Sequence, residues 1–176
     1  MITEAITTQT QELQDFMKQC EARGFKNNHT LKALKFQWCL DEGGMWYATY
    51  TPSGEMISIS GIHPFKDGWR ALFRGAQTQT RPVGLNRYHM QSYPFHSQLP
   101  LQIEWAKQSD NDPFIYITTN TENDMSGKMT RINKTFMILE SHDIVVPLGE
   151  ENIYSVKQYL WLLNNQVYED IRKKYE

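Results

Sequence analysis

The stretch from Met45 to Gln77 constrains this chain more than any other, because it sets three strand-like runs and two tight turns in one short span. Met45–Thr51 is almost wholly β-branched and aromatic, a composition that suits a pleated, half-buried surface. Pro52-Ser53-Gly54 supplies a reversal, since proline presets one turn torsion and glycine accepts a positive one. Glu55–Ile62 then alternates Ile57 and Ile59 with Ser58 and Ser60, the period of a strand with two unlike faces. Ile62-His63-Pro64-Phe65 reads as the exit from that strand. After a turn at Asp67-Gly68, Trp69–Ala76 forms the third.

The rest of the chain must complete a sheet around this meander. With 176 residues, one domain spanning 1–176 is the expectation, long enough to bury about 70% of its unfolded surface. A net charge of -2 gives no general reason to expect nucleic acid or an anionic membrane as partner. Cys20 and Cys39 fall in separate helical patterns without metal-ligand spacing, so the expectation is two reduced thiols, no disulfide and no metal. Met1 to Gln14 lacks the apolar core of a signal peptide, and no run is long enough to span a membrane. A soluble, cytoplasmic protein is expected.

Ile2 to Ile6 suits a short edge strand. Thr8 with Gln11 fits a capping box, followed by Leu13, Phe16, Met17 and Cys20 at helical spacing and Gly24 as a C-cap. A second helix after Asn28 carries Leu31, Leu34 and Trp38 on one face and ends at Gly43-Gly44; Phe16 and Trp38 read as core. Gln77–Tyr93 has no clear period and reads as a long loop. A helix over Ser97–Lys107, with Pro100 in its first turn, leads to a strand at Phe114–Thr119. Ser126–Ser141 reads as a helix with Met129, Ile132, Phe136 and Leu139 on one face. Ile144–Leu148 and Tyr154–Leu163 read as closing strands, and Asn164 as the cap of a last helix.

Two helices, a meander, a helix, a strand, a helix and two strands make a mixed α/β fold with a twisted, mostly antiparallel sheet flanked by helices. In that order the chain resembles the GNAT superfamily of acyl-CoA-dependent N-acyltransferases, from about Gln11 to Leu163. Glu55–Phe65 looks like that family's long third strand, and Phe114–Asn120 resembles its fifth, including the asparagine after it. The chain departs from the pattern in two places. The glycine-rich loop that holds the CoA pyrophosphate has no counterpart before Ser97, and the helix from Ser126 lacks the family's tyrosine, with Phe136 and Met137 in that region.

Between Asp67 and Glu104 there is no acidic residue, while Arg70, Arg74, Arg81 and Arg87 all fall inside with His89 and His96. Arginine presents a planar, two-pronged donor suited to phosphate or carboxylate, so an anion site is expected here. On a two-residue period Arg70 and Arg74 should share a strand face. The resemblance implies acetyl-CoA or another acyl-CoA bound along Leu72, Phe73, Arg74 and Gly75, with Gln77, Thr78 and Arg81 toward its phosphates and Asn120 and Lys128 nearby. It also implies acyl transfer to an amine of a small molecule or peptide, with His63 or His89 as candidate base. The other expectation is a domain of the same fold that no longer catalyses and binds a protein partner or small anion.

Overall fold

The computed structural model describes residues 2–24, 33–76, 97–120 and 144–174. Strands β1 (Ile2–Ile6), β2 (Met45–Tyr50), β3 (Met56–Phe65), β4 (Gly68–Ala76), β5 (Ile115–Asn120), β6 (Val145–Ile153) and β7 (Val156–Leu163) form one sheet. Its order is β1-β2-β3-β4-β5-β7-β6. Among the described residues only β4 and β5 run parallel; the other pairings there are antiparallel. The expected meander and the parallel placement of the strand at Phe114–Thr119 beside the third strand are both present.

Helices α1 (Gln11–Gly24) and α2 (Ala33–Asp41) cover one face, and α3 (Leu99–Lys107) and α4 (Asn165–Lys174) the other. Alternation in the strands accounts for this two-sided burial. Trp46, Ala48 and Ile59 point toward α1 and α2, where Leu13, Phe16 and Phe36 meet them. Ile62, Ala71, Ile115, Ile117 and Trp161 point to the opposite side, against Leu99, Ile103, Ala106 and Tyr168. Each buried Leu, Ile or Phe among them contributes roughly 1.5–3 kcal/mol by leaving water.

Local signals held with adjustments. The Leu13 amide donates to Thr10 Oγ1 at 3.2 Å, so Thr10 rather than Thr8 caps α1. Asn164 Oδ1 accepts the Val167 amide at 3.2 Å, capping α4 as expected. β3 continues past Ile62 through His63 and Pro64, paired with Arg70 and Trp69, to Phe65, the extent of the Glu55–Phe65 strand that the resemblance implied. The reversal is Lys66-Asp67, with Lys66 at φ 50°. β6 likewise runs past Leu148 to Ile153, and Tyr154 is a turn residue rather than the start of β7. The expected loop at Gln77–Tyr93 and helix at Ser126–Ser141 lie outside the described residues.

Candidate functional site

Strands β4 and β5 stay together for three residue pairs only, Trp69 with Ile115, Arg70 with Tyr116 and Ala71 with Ile117. Their common root is tight: a Cβ on Gly68 would run into the carbonyl oxygen of Phe114. Both strands then continue, β4 to Ala76 and β5 to Asn120, with no further pairing between them. β5 keeps its other partner, since Asn120 still pairs with Gln158 of β7. The sheet therefore opens at its centre, and the β5-side backbone groups of residues 72–76 have no ladder partner among the described residues. Buried backbone donors and acceptors need partners. An opening that leaves them unused in mid-sheet suits an extended, amide-bearing ligand.

β4 is also irregular on its other side. Ser60 pairs with Arg74 and Gly61 with Leu72, so Phe73 is an extra residue, a β-bulge. One added residue reverses the strand's parity. The expectation that Arg70 and Arg74 share a face is therefore corrected. Arg70 follows His63 and Tyr116 on the α1/α2 face, whereas position 74 follows Ser60 on the α3 face.

On that α3 face lies a buried polar ladder. Gln98 Nε2 donates to Ser58 Oγ at 2.8 Å and Thr49 Oγ1 at 3.0 Å, and Gln98 Oε1 accepts from Ser60 Oγ at 2.5 Å. One turn on, Gln102 Nε2 donates to Ser60 Oγ at 2.8 Å and to the Gly61 carbonyl at 3.0 Å. Gln98 is the residue before α3, so the ladder ties the helix N-terminus to Ser58 and Ser60, the β4 partners of which are Ala76 and Arg74. Backbone amides at a helix start attract anions. This anchoring was not anticipated from sequence. A matched spacing could have revealed it: four residues on a helix and two on a strand are both roughly 6–7 Å.

The α1/α2 face differs in chemistry. His63 is fully buried, and its Nδ1 donates to the Pro64 carbonyl at 2.7 Å. Its ring lies edge-on to Trp38 at 4.7 Å between centroids. Trp38 is half-buried and also touches Tyr154 at 5.7 Å, so it is a wall of this site as well as core. Arg70 is buried between Phe65 and Tyr154, its guanidinium carbon 5.5 and 5.2 Å from their ring centroids. Burial lowers its pKa to about 10. Tyr116 OH donates to Asp67 Oδ1, and that hydrogen bond above all pushes the phenol up to about 12. Cys39 is fully buried, with Sγ donating to the Ile62 carbonyl at 3.3 Å; burial pushes the thiol up to about 12 despite the opposing field of Arg70. No cluster of metal-ligating side chains occurs among the described residues.

The structure thus places the expected residues as follows. Leu72, Phe73, Arg74 and Gly75 line the β4 edge of the opening by backbone, and Asn120 ends its β5 edge. His63 lies below the opening, beside its root. Gln77, Thr78, Arg81, His89 and Lys128 lie outside the described residues. No helix among the described residues is long and apolar enough to cross a membrane.

No protein-family model and no curated protein matches the chain. Solved structures do. The aminoglycoside 6'-N-acetyltransferase from Enterococcus faecium superposes with a TM-score of 0.59 at 12% identity, covering 92% of this chain and 96% of that one. An acetyltransferase of the GNAT family from Staphylococcus aureus MU50 gives 0.55 at 9% identity, with 92% and 98% covered. This chain has the GNAT fold. A further GNAT-fold structure, an aminoglycoside 6'-N-acetyltransferase complexed with coenzyme A, gives 0.51 at 13% identity over 92% of this chain and 96% of that one.

Proposed function

We propose that this protein is an acyl-CoA-dependent N-acyltransferase that moves an acyl group, in the simplest case acetyl, to an amine. The observation that carries this reading is the opening between β4 and β5, with the bulge at Phe73 on its edge. An acyl-CoA presents an extended chain of amides, which fits the unpaired backbone of residues 72–75. Its phosphates suit the N-terminus of α3 together with Arg74, Arg81 and the segment Gln77–Thr80; Asn120 and Lys128 complete the proposed contacts. Bound there, the thioester supplies the electrophilic acyl carbon.

This chain's own residues then orient the amine and take its proton. His63 is the candidate base among the described residues, beside His89 outside them. Because Nδ1 donates to the Pro64 carbonyl, Nε2 is the nitrogen that can accept a proton. An amine substrate is in keeping with the names of two of the superposed structures, which are aminoglycoside 6'-N-acetyltransferases.

Calorimetric titration with acetyl-CoA and desulfo-CoA tests the reading. Binding is expected, and Arg74→Ala should weaken it by about 1.5–3 kcal/mol, the range for hydrogen bonds to a charged group. Arg74→Lys should recover only part, because lysine lacks the two-pronged geometry. No heat at millimolar ligand would sink the cofactor assignment and favour a non-catalytic binding domain instead.

A further inference from the structure

Arg70 is 3% exposed, and its Nε and Nη1 find no hydrogen-bond acceptor among the described residues. Among the described residues, Asp67 accepts from Tyr116, and Glu151 pairs with Lys66. The flanking rings of Phe65 and Tyr154 attract the cation through their π-faces, which do not replace an oxygen acceptor for its N–H groups. A buried guanidinium is ordinarily met by a carboxylate or another good acceptor, because leaving it without one is costly. Arg70 keeps its charge at neutral pH, even with a lowered pKa of about 10.

Its position is as informative as its chemistry. Arg70 precedes Ala71, the last β4 residue paired to β5, so it stands at the root of the central opening. Residue 72 is only ~7 Å further along the strand. The bulge at Phe73 sends Arg70 to the face opposite that of position 74 and the α3 N-terminus. Tyr154, whose ring lies over the guanidinium, is itself 56% exposed and sits with Ser155 in a two-residue turn, φ 51° and 65°.

We propose that Arg70, held between Phe65 and Tyr154, receives a carboxylate of the acyl acceptor, so that the acceptor is an amine that also carries a carboxylate, of amino-acid or short-peptide class. The acceptor role rests on the acyltransferase reading; the carboxylate site itself does not. Phosphate is the competing anion, but the aromatic walls suit the smaller, planar, singly charged group with an apolar body beside it.

The test uses the full chain and matched probes: L-leucine, L-phenylalanine and L-glutamate, each against its own α-amide, with inorganic phosphate as a separate arm. At least one free acid should bind about tenfold or more tighter than its amide, as expected for hydrogen bonds to a charged group. Arg70→Met should bring that ratio to about one, and Arg70→Lys should leave it intermediate. If Arg70→Met does not fold, Arg70→Lys carries the comparison. Equal binding of acid and amide by the wild type, an unchanged ratio in the Arg70 variants, or binding of phosphate with none of any free acid overturns the proposal. Acetyl-CoA is titrated into the same samples. Acid-over-amide selectivity without acetyl-CoA binding supports the carboxylate site and overturns the acyltransferase reading. Acetyl-CoA binding without selectivity overturns the carboxylate site alone.

Discussion

The two faces of the sheet bury polar groups to the same depth and treat them in opposite ways. On the α3 face, the amide nitrogens of Gln98 and Gln102 each reach two or more acceptors, in hydrogen bonds of 2.8–3.2 Å. On the α1/α2 face, Arg70 keeps two nitrogens without an acceptor among the described residues. A satisfied network specifies one arrangement of helix on sheet and resists change. An unsatisfied charge weakens the fold, and its persistence directs attention to a ligand. The contrast separates a structural polar cluster from a candidate functional one without appeal to any relative.

The sharpest way to break this comparison is to remove the centre of the satisfied side. Gln98→Leu removes one hydrogen-bond partner each from Thr49, Ser58 and Ser60, and should cost about 3 kcal/mol, at roughly 1 kcal/mol for each bond lost. Urea denaturation measures it. A loss below about 1 kcal/mol would show that the ladder does not hold α3 in place.

The opposite sign is expected on the other face. Lowering the Arg70 pKa to about 10 corresponds to a folding penalty of roughly 3 kcal/mol below that pH. The contacts with Phe65 and Tyr154 return roughly 1 kcal/mol each. Arg70→Met should therefore stabilise the unliganded protein by about 1 kcal/mol at pH 7. The folded state holds this proton less tightly than the unfolded one, so the penalty is complete below pH 10 and fades as pH rises beyond it. The advantage of Arg70→Met over the wild type should shrink accordingly in paired denaturation curves. A destabilised variant would mean that Arg70 serves packing.

The smallest effect belongs to the cover of that site. Tyr154 and Ser155 both adopt left-handed φ, which side chains disfavour. Ser155→Gly should raise stability by about 0.5–1 kcal/mol, as the turn type prefers glycine there. A Tm that falls would place a needed contact on the Ser155 side chain.

How far the sequence revealed these regions depended on whether a signal was local. Ile57 and Ile59 alternating with Ser58 and Ser60 reveal β3 because its two faces meet different surroundings, apolar α1/α2 and the polar ladder. β5 was equally plain, as an apolar β-branched run. The second half of β6 left no such trace: Leu148 to Glu150 are exposed at the sheet edge, so neither face imposes a period. The bulge at Phe73 was invisible for another reason. It is decided by which residues pair across β3 and β4, and nothing in Leu72-Phe73-Arg74 announces it. The arginine-rich, acid-free segment was legible as composition, but its division between two faces depended on that one residue.

Cys39 gives the α1/α2 face a further property. A thiol that ionises only near pH 12 is inert toward alkylating reagents at neutral pH. It is held between α2 and the Ile62 carbonyl, so it becomes reactive when the helix lifts from the sheet. Its modification rate is then a built-in clock for that local opening, read by mass without any label introduced into the chain.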